Sequence, residues 1–325
     1  MSRGFCRARA NIALAKYWGK CDAALNLPAV PSVSLTLDAL VTETEVQIDP
    51  SLEEDQVWLN GVPQEGAGRA KVSALLASVR GRPEARRGFA RVTTQNHFPS
   101  ASGLASSASG FAALTGAAAR AYEVPLSLEA MSSIARRGSA SAARSVFEGW
   151  CALPAGTPGD DWLPARPLYG VDHWEVCMVL ALVTHAPKAI ASRDGMRETA
   201  RTSPYWGAWL GCAPGYVKAV TEGVAARDLE ATGAAMEAST AAMHASAWAA
   251  VPAVRYIKGV TLELLDAVQS LRAAGVGAWA TMDAGPHVKV LCLAHDSARV
   301  STALAAVPGV VEVRVARPGR GLEFA

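Results

Sequence analysis

A chain of 325 residues and 33.8 kDa, half of it hydrophobic and only 18% charged, is long enough to bury one large core or two docked ones. That composition excludes an intrinsically disordered segment, a collagen-like fibre and a small disulfide-stapled scaffold. With 31 basic against 29 acidic side chains the net charge is +2, so bulk electrostatics point to neither nucleic acid nor an anionic membrane, and any anion site must be local.

In chain order, residues 33–48 alternate apolar and polar side chains and are rich in β-branched types, which predicts strand in a half-solvated sheet. Val57-Trp58-Leu59 followed by Asn60-Gly61 reads as a strand entering a tight turn. Residues 71–80 have helical spacing of Val72, Leu75, Leu76 and Val79, and residues 89–95 return to strand. Residues 104–122 and 128–137 read as helices, the second capped by Ser127. Residues 175–184 form a buried strand, after which long helices dominate residues 192–271, with 225–247 and 254–273 the clearest. Strands at 278–282, 287–293 and 310–315 close the chain. The expected fold class is α+β, with an N-terminal domain over 1–184 and a C-terminal domain over 185–325.

Cys6, Cys21, Cys151, Cys177, Cys212 and Cys292 are scattered without a CxxC pair, which fits a reducing compartment. The start, MSRGFCRARA, lacks the apolar run of a secretory signal. Residues 92–119 are free of Asp, Glu, Lys and Arg but consist mainly of small and hydroxylated side chains, a poor membrane span. A cytoplasmic protein without membrane or nucleic-acid partners is expected.

Five segments carry chemistry. PSASGLASSASG, residues 99–110, joins a strand to a helix and would present backbone N–H groups and a positive dipole end to a phosphate; the alternative is a helix start whose small residues allow close packing. It lacks the lysine of a GxxxxGK[ST] loop. NIALAKYWGK, residues 11–20, places two of the chain's seven lysines four residues apart, either as required ammonium groups or as surface charges beside a core Tyr17-Trp18 pair. RRGSASAAR, residues 136–144, offers serine hydroxyls and the planar fork of Arg144, or an ordinary helix terminus. In TMDAGP, residues 281–286, Asp283 is a catalytic carboxylate or a turn former. In KAIASRDGM, Lys188 and Ser192 are anion contacts or, for the serine, a cap. No HExxH or GxSxG pattern occurs.

In order and spacing, NIALAKYWGK, NHFPSASGLASSASG, RRGSASAARS and MDAGP resemble the mevalonate diphosphate decarboxylases of the GHMP kinase superfamily. The resemblance implies an N-terminal domain like ribosomal protein S5 domain 2, a ferredoxin-like C-terminal domain and an active site in the cleft between them. It implies an enzyme, a homodimer, that uses ATP and Mg²⁺ to phosphorylate the 3-hydroxyl of mevalonate 5-diphosphate, after which phosphate and CO₂ leave isopentenyl diphosphate. Relatives that take mevalonate 5-phosphate, or that only phosphorylate the 3-hydroxyl, are the alternatives. Carried over by motif, Asp283 would be the base or orienting group beside the hydroxyl, and Arg144 would grip the substrate carboxylate. Tyr17, Lys20, Lys71, Ser139, Ser141 and Ser192 would hold the substrate and its diphosphate. Ser102, Gly103, Leu104, Ala105, Ser106 and Ser107 would wrap the ATP phosphates, with Ser106 or Ser107 at Mg²⁺, while Lys16 and Lys188 would add positive charge at the transferred phosphoryl. The chain departs from the family pattern at residues 28–34, at Pro187, and at Lys71, where arginine is usual.

Overall fold

The first strand shows how the chain is layered. In β1 (Arg3–Ala15), buried Gly4, Cys6 and Ala8 alternate with more exposed Arg3, Phe5, Arg7 and Arg9, and then everything from Ala10 to Ala15 is buried. Its first half therefore has one covered face, and its second half is covered on both. A computed structural model describes residues 2–98, 106–186 and 189–325. After β1 come β2 (Lys20–Asp22), β3 (Leu27–Pro28), β4 (Ser32–Ile48), β5 (Gln56–Leu59), β6 (Val62–Pro63), α1 (Gly66–Arg80), β7 (Ala90–Asn96), α2 (Ser106–Ala121) and α3 (Leu128–Gly138). A 3-10 segment (Ala140–Val146), β8 (Trp150–Leu153), β9 (Arg166–Tyr169) and β10 (Val176–Leu182) lead into α4 (Ser192–Thr202), α5 (Trp206–Ala226), α6 (Leu229–Trp248) and α7 (Gly259–Ala273). The chain ends with β11 (Ala278–Met282), β12 (Val288–Leu293), α8 (Ser297–Ala305), β13 (Glu312–Ala316) and β14 (Glu323–Phe324).

One sheet runs β14-β1-β4-β7-β5-β6, with β8 on β4 and β9 on β8; a second runs β11-β12-β10-β13. Because strand side chains alternate, β10 serves two cores. Val176, Met178, Leu180 and Leu182 face a cluster shared with Ile12, Leu14, Leu35 and Trp150 of the first sheet, while Cys177, Val179 and Ala181 face α7 and α8. Each fully buried leucine or methionine in the shared cluster contributes about 1.5–3 kcal/mol, so the seam between the sheets is the stiff frame behind the cleft.

Several elements differ from the sequence reading for identifiable reasons. The helix expected at 225–247 starts at Leu229, because Arg227 turns left-handed (φ 56°) to close α5 and the Asp228 carboxylate accepts from the Ala231 N–H at 2.9 Å to cap α6. The helix expected from 254 begins at Gly259. β10, which lies within the expected 1–184 unit, pairs with β12 and β13 of the second sheet, and β14 returns to β1 of the first. Ser127 caps α3 as expected, its Oγ accepting from the Ala130 N–H at 3.2 Å.

Candidate active site

A cavity of about 550 Å³ opens where the two sheets meet, and every expected site residue within the described chain lines it: Lys16, Tyr17, Lys20, Lys71, Ser106, Ser107, Ser139, Ser141, Arg144, Ser192 and Asp283. Ser102, Gly103, Leu104, Ala105 and Lys188 lie outside the described residues. Residues separated by more than 260 positions thus share one wall, because Lys16 directly follows β1 and Asp283 directly follows β11.

Asp283 is held on both sides. Its Oδ1 accepts from Lys16 Nζ at 2.7 Å and its Oδ2 from Lys289 Nζ at 3.0 Å. Lys16 is anchored by its own backbone N–H, which donates to Ser239 Oγ, and by Nζ donating to the Ala13 carbonyl, each at 2.9 Å. Burial by itself would raise the Asp283 carboxyl; Lys16 and Lys289 outweigh it and hold the group well below the usual carboxylate range. Burial pushes Lys16 down to about 8, against the pull of Asp283, with Lys289 and Arg144 as further repulsive neighbours.

Arg144 stands across the cavity on the 3-10 segment, and its side chain is 2% exposed. Its Nε donates to Ser34 Oγ at 2.8 Å and its Nη1 to Ser32 Oγ at 2.6 Å; Asn11 Oδ1 accepts from Nε at 3.3 Å and from Nη2 at 3.2 Å. Asn11 is itself fixed, donating to the Ser141 carbonyl at 2.9 Å and to Ser145 Oγ at 2.8 Å. Among the described residues the hydrogen bonds of this guanidinium go to neutral oxygens only, and burial pushes it down to about 10. A buried cation with no hydrogen-bonded carboxylate is prepared for an anionic ligand.

A second positive region is built from Lys20, Lys71 and Arg193. Lys20 donates to Asn26 Oδ1, and Asn26 in turn donates to the Arg137 carbonyl. Burial lowers Lys20 to about 8, with Arg193 and Lys71 repelling it further, and burial and Arg193 also lower Lys71. Cations gathered this closely are stabilised by a polyanion. Between the two regions, Ser107 Oγ lies 3.2 Å from Ser139 Oγ, which lies 3.1 Å from Ser141 Oγ, linking the start of α2 to the 3-10 segment. Tyr17 Oη has no hydrogen-bond partner among the described residues. Ser192 is not a cap: Ala191 occupies the cap position of α4, without a side-chain hydrogen bond.

The described residues contain no group of three His, Cys, Asp or Glu side chains able to hold a metal alone. Ser106 and Ser107 still offer hard hydroxyl oxygens at the cavity wall, which fits a Mg²⁺ held mainly by phosphates. Lys289, Arg193, Asn11 and Asn26 escape the motif reading. Lys289 carries one signal, as the lone charge in the apolar run HVKVLCL, and Arg193 directly follows Ser192. Ser32 and Ser34, in the segment that departs from the family pattern, support Arg144. His97 and His287 are not among the described residues that line the cavity: His97 pairs with Glu43 at the surface, and the His287 Nδ1 accepts from the Val183 N–H at 3.2 Å.

Two family models match the chain, the diphosphomevalonate decarboxylase-like N-terminal domain over residues 8–163 and the mevalonate 5-diphosphate decarboxylase C-terminal domain over residues 178–314. The diphosphomevalonate decarboxylase of Candida albicans is 34% identical over 297 residues, which span 87% of this chain and 82% of that protein. Mevalonate diphosphate decarboxylase from Staphylococcus aureus superposes with a TM-score of 0.94 at 32% identity, covering 100% of this chain and 98% of its own. MDDEF, solved in complex with MVAPP, AMPPCP and magnesium, superposes with a TM-score of 0.91 at 38% identity, covering 100% of this chain and 99% of its own.

Proposed function

Since the chain belongs to the diphosphomevalonate decarboxylase family, we propose that its cavity converts mevalonate 5-diphosphate and ATP to isopentenyl diphosphate, ADP, phosphate and CO₂. The α+β GHMP kinase fold is that of its solved relatives, and ATP with Mg²⁺ serves the reaction, in line with the AMPPCP and magnesium held by the complexed relative. The observation that carries the assignment of roles is the pairing of a doubly clamped Asp283 with an Arg144 that lacks a carboxylate partner, in one cavity.

Lys20, Lys71 and Arg193 take the diphosphate tail, with Tyr17, Ser139, Ser141 and Ser192 as hydroxyl donors along the substrate. Ser106 and Ser107 serve the ATP phosphates, the role the family resemblance also gives Ser102, Gly103, Leu104 and Ala105, and either hydroxyl would complete the coordination of Mg²⁺, which neutralises phosphate charge when bound. Lys16 and Lys188 add charge at the transferred phosphoryl. Asp283 accepts the hydrogen bond of the 3-hydroxyl. As the hydroxyl oxygen bonds to the γ-phosphorus and ADP leaves, the proton passes to the Asp283 oxygen that Lys16 has released. The 3-phosphate then departs with the carbon–oxygen electron pair. Arg144 aligns the carboxylate so that the breaking carbon–carbon bond supplies the electrons of the new double bond, and CO₂ leaves. A tertiary alcohol is a poor leaving group and its phosphate a good one, which is why the phosphoryl transfer comes first.

Two domains are proposed as well, with the division moved from the expected 184 to before residue 176, because β10 pairs within the second sheet. A cytoplasmic location is supported by six free cysteines, and no helix among the described residues is long and apolar enough to cross a membrane. The homodimer rests on the family resemblance. Incubation with ATP, Mg²⁺ and, separately, mevalonate, its 5-phosphate and its 5-diphosphate should release ADP and CO₂ in equal amounts with the diphosphate. ADP without CO₂ would mean a kinase, and preference for the monophosphate would overturn the role given to Lys20, Lys71 and Arg193.

A further inference from the structure

Lys289 is a charged side chain, 0% exposed, in a strand otherwise made of Val288, Val290, Leu291, Cys292 and Leu293. In register it lies between Leu180 of β10 and Thr281 of β11. It does not line the cavity, yet its ammonium reaches Asp283 Oδ2 at 3.0 Å from the side opposite Lys16. Burying an ammonium among apolar strands is costly unless a charge partner is fixed beside it, so the position calls for an explanation that packing does not give.

Resting on the reaction assigned above, we propose that Lys289 is a positioning residue: a buried counter-ion, out of contact with substrate, that keeps the Asp283 carboxylate in place while Lys16 turns to the phosphoryl group being transferred. Lys16 lines the cavity and is bonded to Asp283, so it cannot serve both anions fully at once. As Lys16 turns to the γ-phosphate, the 3-hydroxyl takes its place at Oδ1, and when the hydroxyl oxygen bonds to the γ-phosphorus and the bond to ADP breaks, the hydroxyl proton passes to that oxygen. Without Lys289 the buried carboxylate would at that moment have lost its last bonded ammonium. The other charged or titratable groups that act on Asp283 are Arg144, on the 3-10 segment, and His244 on α6, which burial lowers to about 4, so that it is neutral through the working range. Neither hydrogen-bonds Asp283 among the described residues, and the holding falls to Lys289.

The test compares wild type with Lys289→Met, which keeps length and suits the apolar neighbours, and with Lys289→Gln, which keeps an N–H donor without the charge. Carboxyl carbons of isotope-labelled aspartate are titrated by NMR, the Asp283 signal being identified by its loss in Asp283→Asn, and kcat and KM are measured across pH. The expected result is a fall in kcat of about 10–100-fold, the range for lost outer partners, with both KM values within about twofold. Asp283 should titrate about one pH unit higher or more, and the acid limb of kcat should move with it. Should Lys289→Met not fold by circular dichroism, Lys289→Gln carries the same comparison. Unchanged kcat, or a lowered kcat with an unmoved Asp283 titration, overturns the proposal. A wild type that releases no CO₂ overturns the assigned reaction, while the titration still decides whether Lys289 sets the state of Asp283.

Discussion

At Asp283 both oxygens are engaged by ammonium groups, which separates the carboxylate's chemistry from the turn it occupies. Asp283→Asn keeps size and turn geometry but loses the charge and the capacity to accept the hydroxyl proton. Its kcat should fall by about 10²–10⁴ with substrate affinity by calorimetry near wild type; a silent substitution would reduce Asp283 to a turn residue. Lys16 and Lys20, both lowered to about 8 by burial, must be protonated to attract phosphates. Loss of their protons removes positive charge, so kcat/KM should decline as pH rises through about 8. Bound anions raise both lysines again, so kcat should hold to higher pH. Coincident alkaline limbs for the two parameters would contradict this. Asp283, Arg144 and Lys16 were legible because each stands in a motif. Lys289 was not, because its partner is revealed only by the β11–β12 pairing that returns Lys289 beside Thr281.

Elements place these side chains, and the KYWGK turn shows how tightly. Gly19 has φ 103°, and a Cβ there would lie 2.0 Å from Trp206 Cη2, while the Trp209 indole donates to the Trp18 carbonyl at 2.9 Å. The turn is thereby pinned to α5, and Lys16 and Lys20 with it. Gly19→Ala should cost about 1–3 kcal/mol, read as a lowered melting temperature, and should raise the substrate KM. An unchanged melting temperature would mean that the contact with Trp206 is loose. α5 itself was not legible as a separate helix, since Pro214 and glycines at 207, 211, 215 and 223 mask its periodicity. β1 was hidden for a related reason: its run of alanines and arginines has low strand propensity, and its place between β4 and β14 is a tertiary property. By contrast, Ala278–Met282 and the Asn60-Gly61 turn follow directly from local chemistry, Asn60 and Gly61 both having positive φ.

Across the whole molecule, the apolar seam between the two sheets fixes two charged regions on one cavity, one around Lys20, Lys71 and Arg193 and one around Asp283 and Arg144. Under the proposed function, a substrate anionic at one end and carrying a hydroxyl and a carboxylate at the other would meet both regions. On this reading the 3-hydroxyl is phosphorylated before CO₂ is lost. That order can be followed by turning over mevalonate 5-diphosphate that carries a heavy oxygen isotope in the 3-hydroxyl, and analysing the released phosphate by mass spectrometry. Every released phosphate should carry the label; label recovered in water instead, with unlabelled phosphate, would mean that the 3-hydroxyl is not phosphorylated before it leaves.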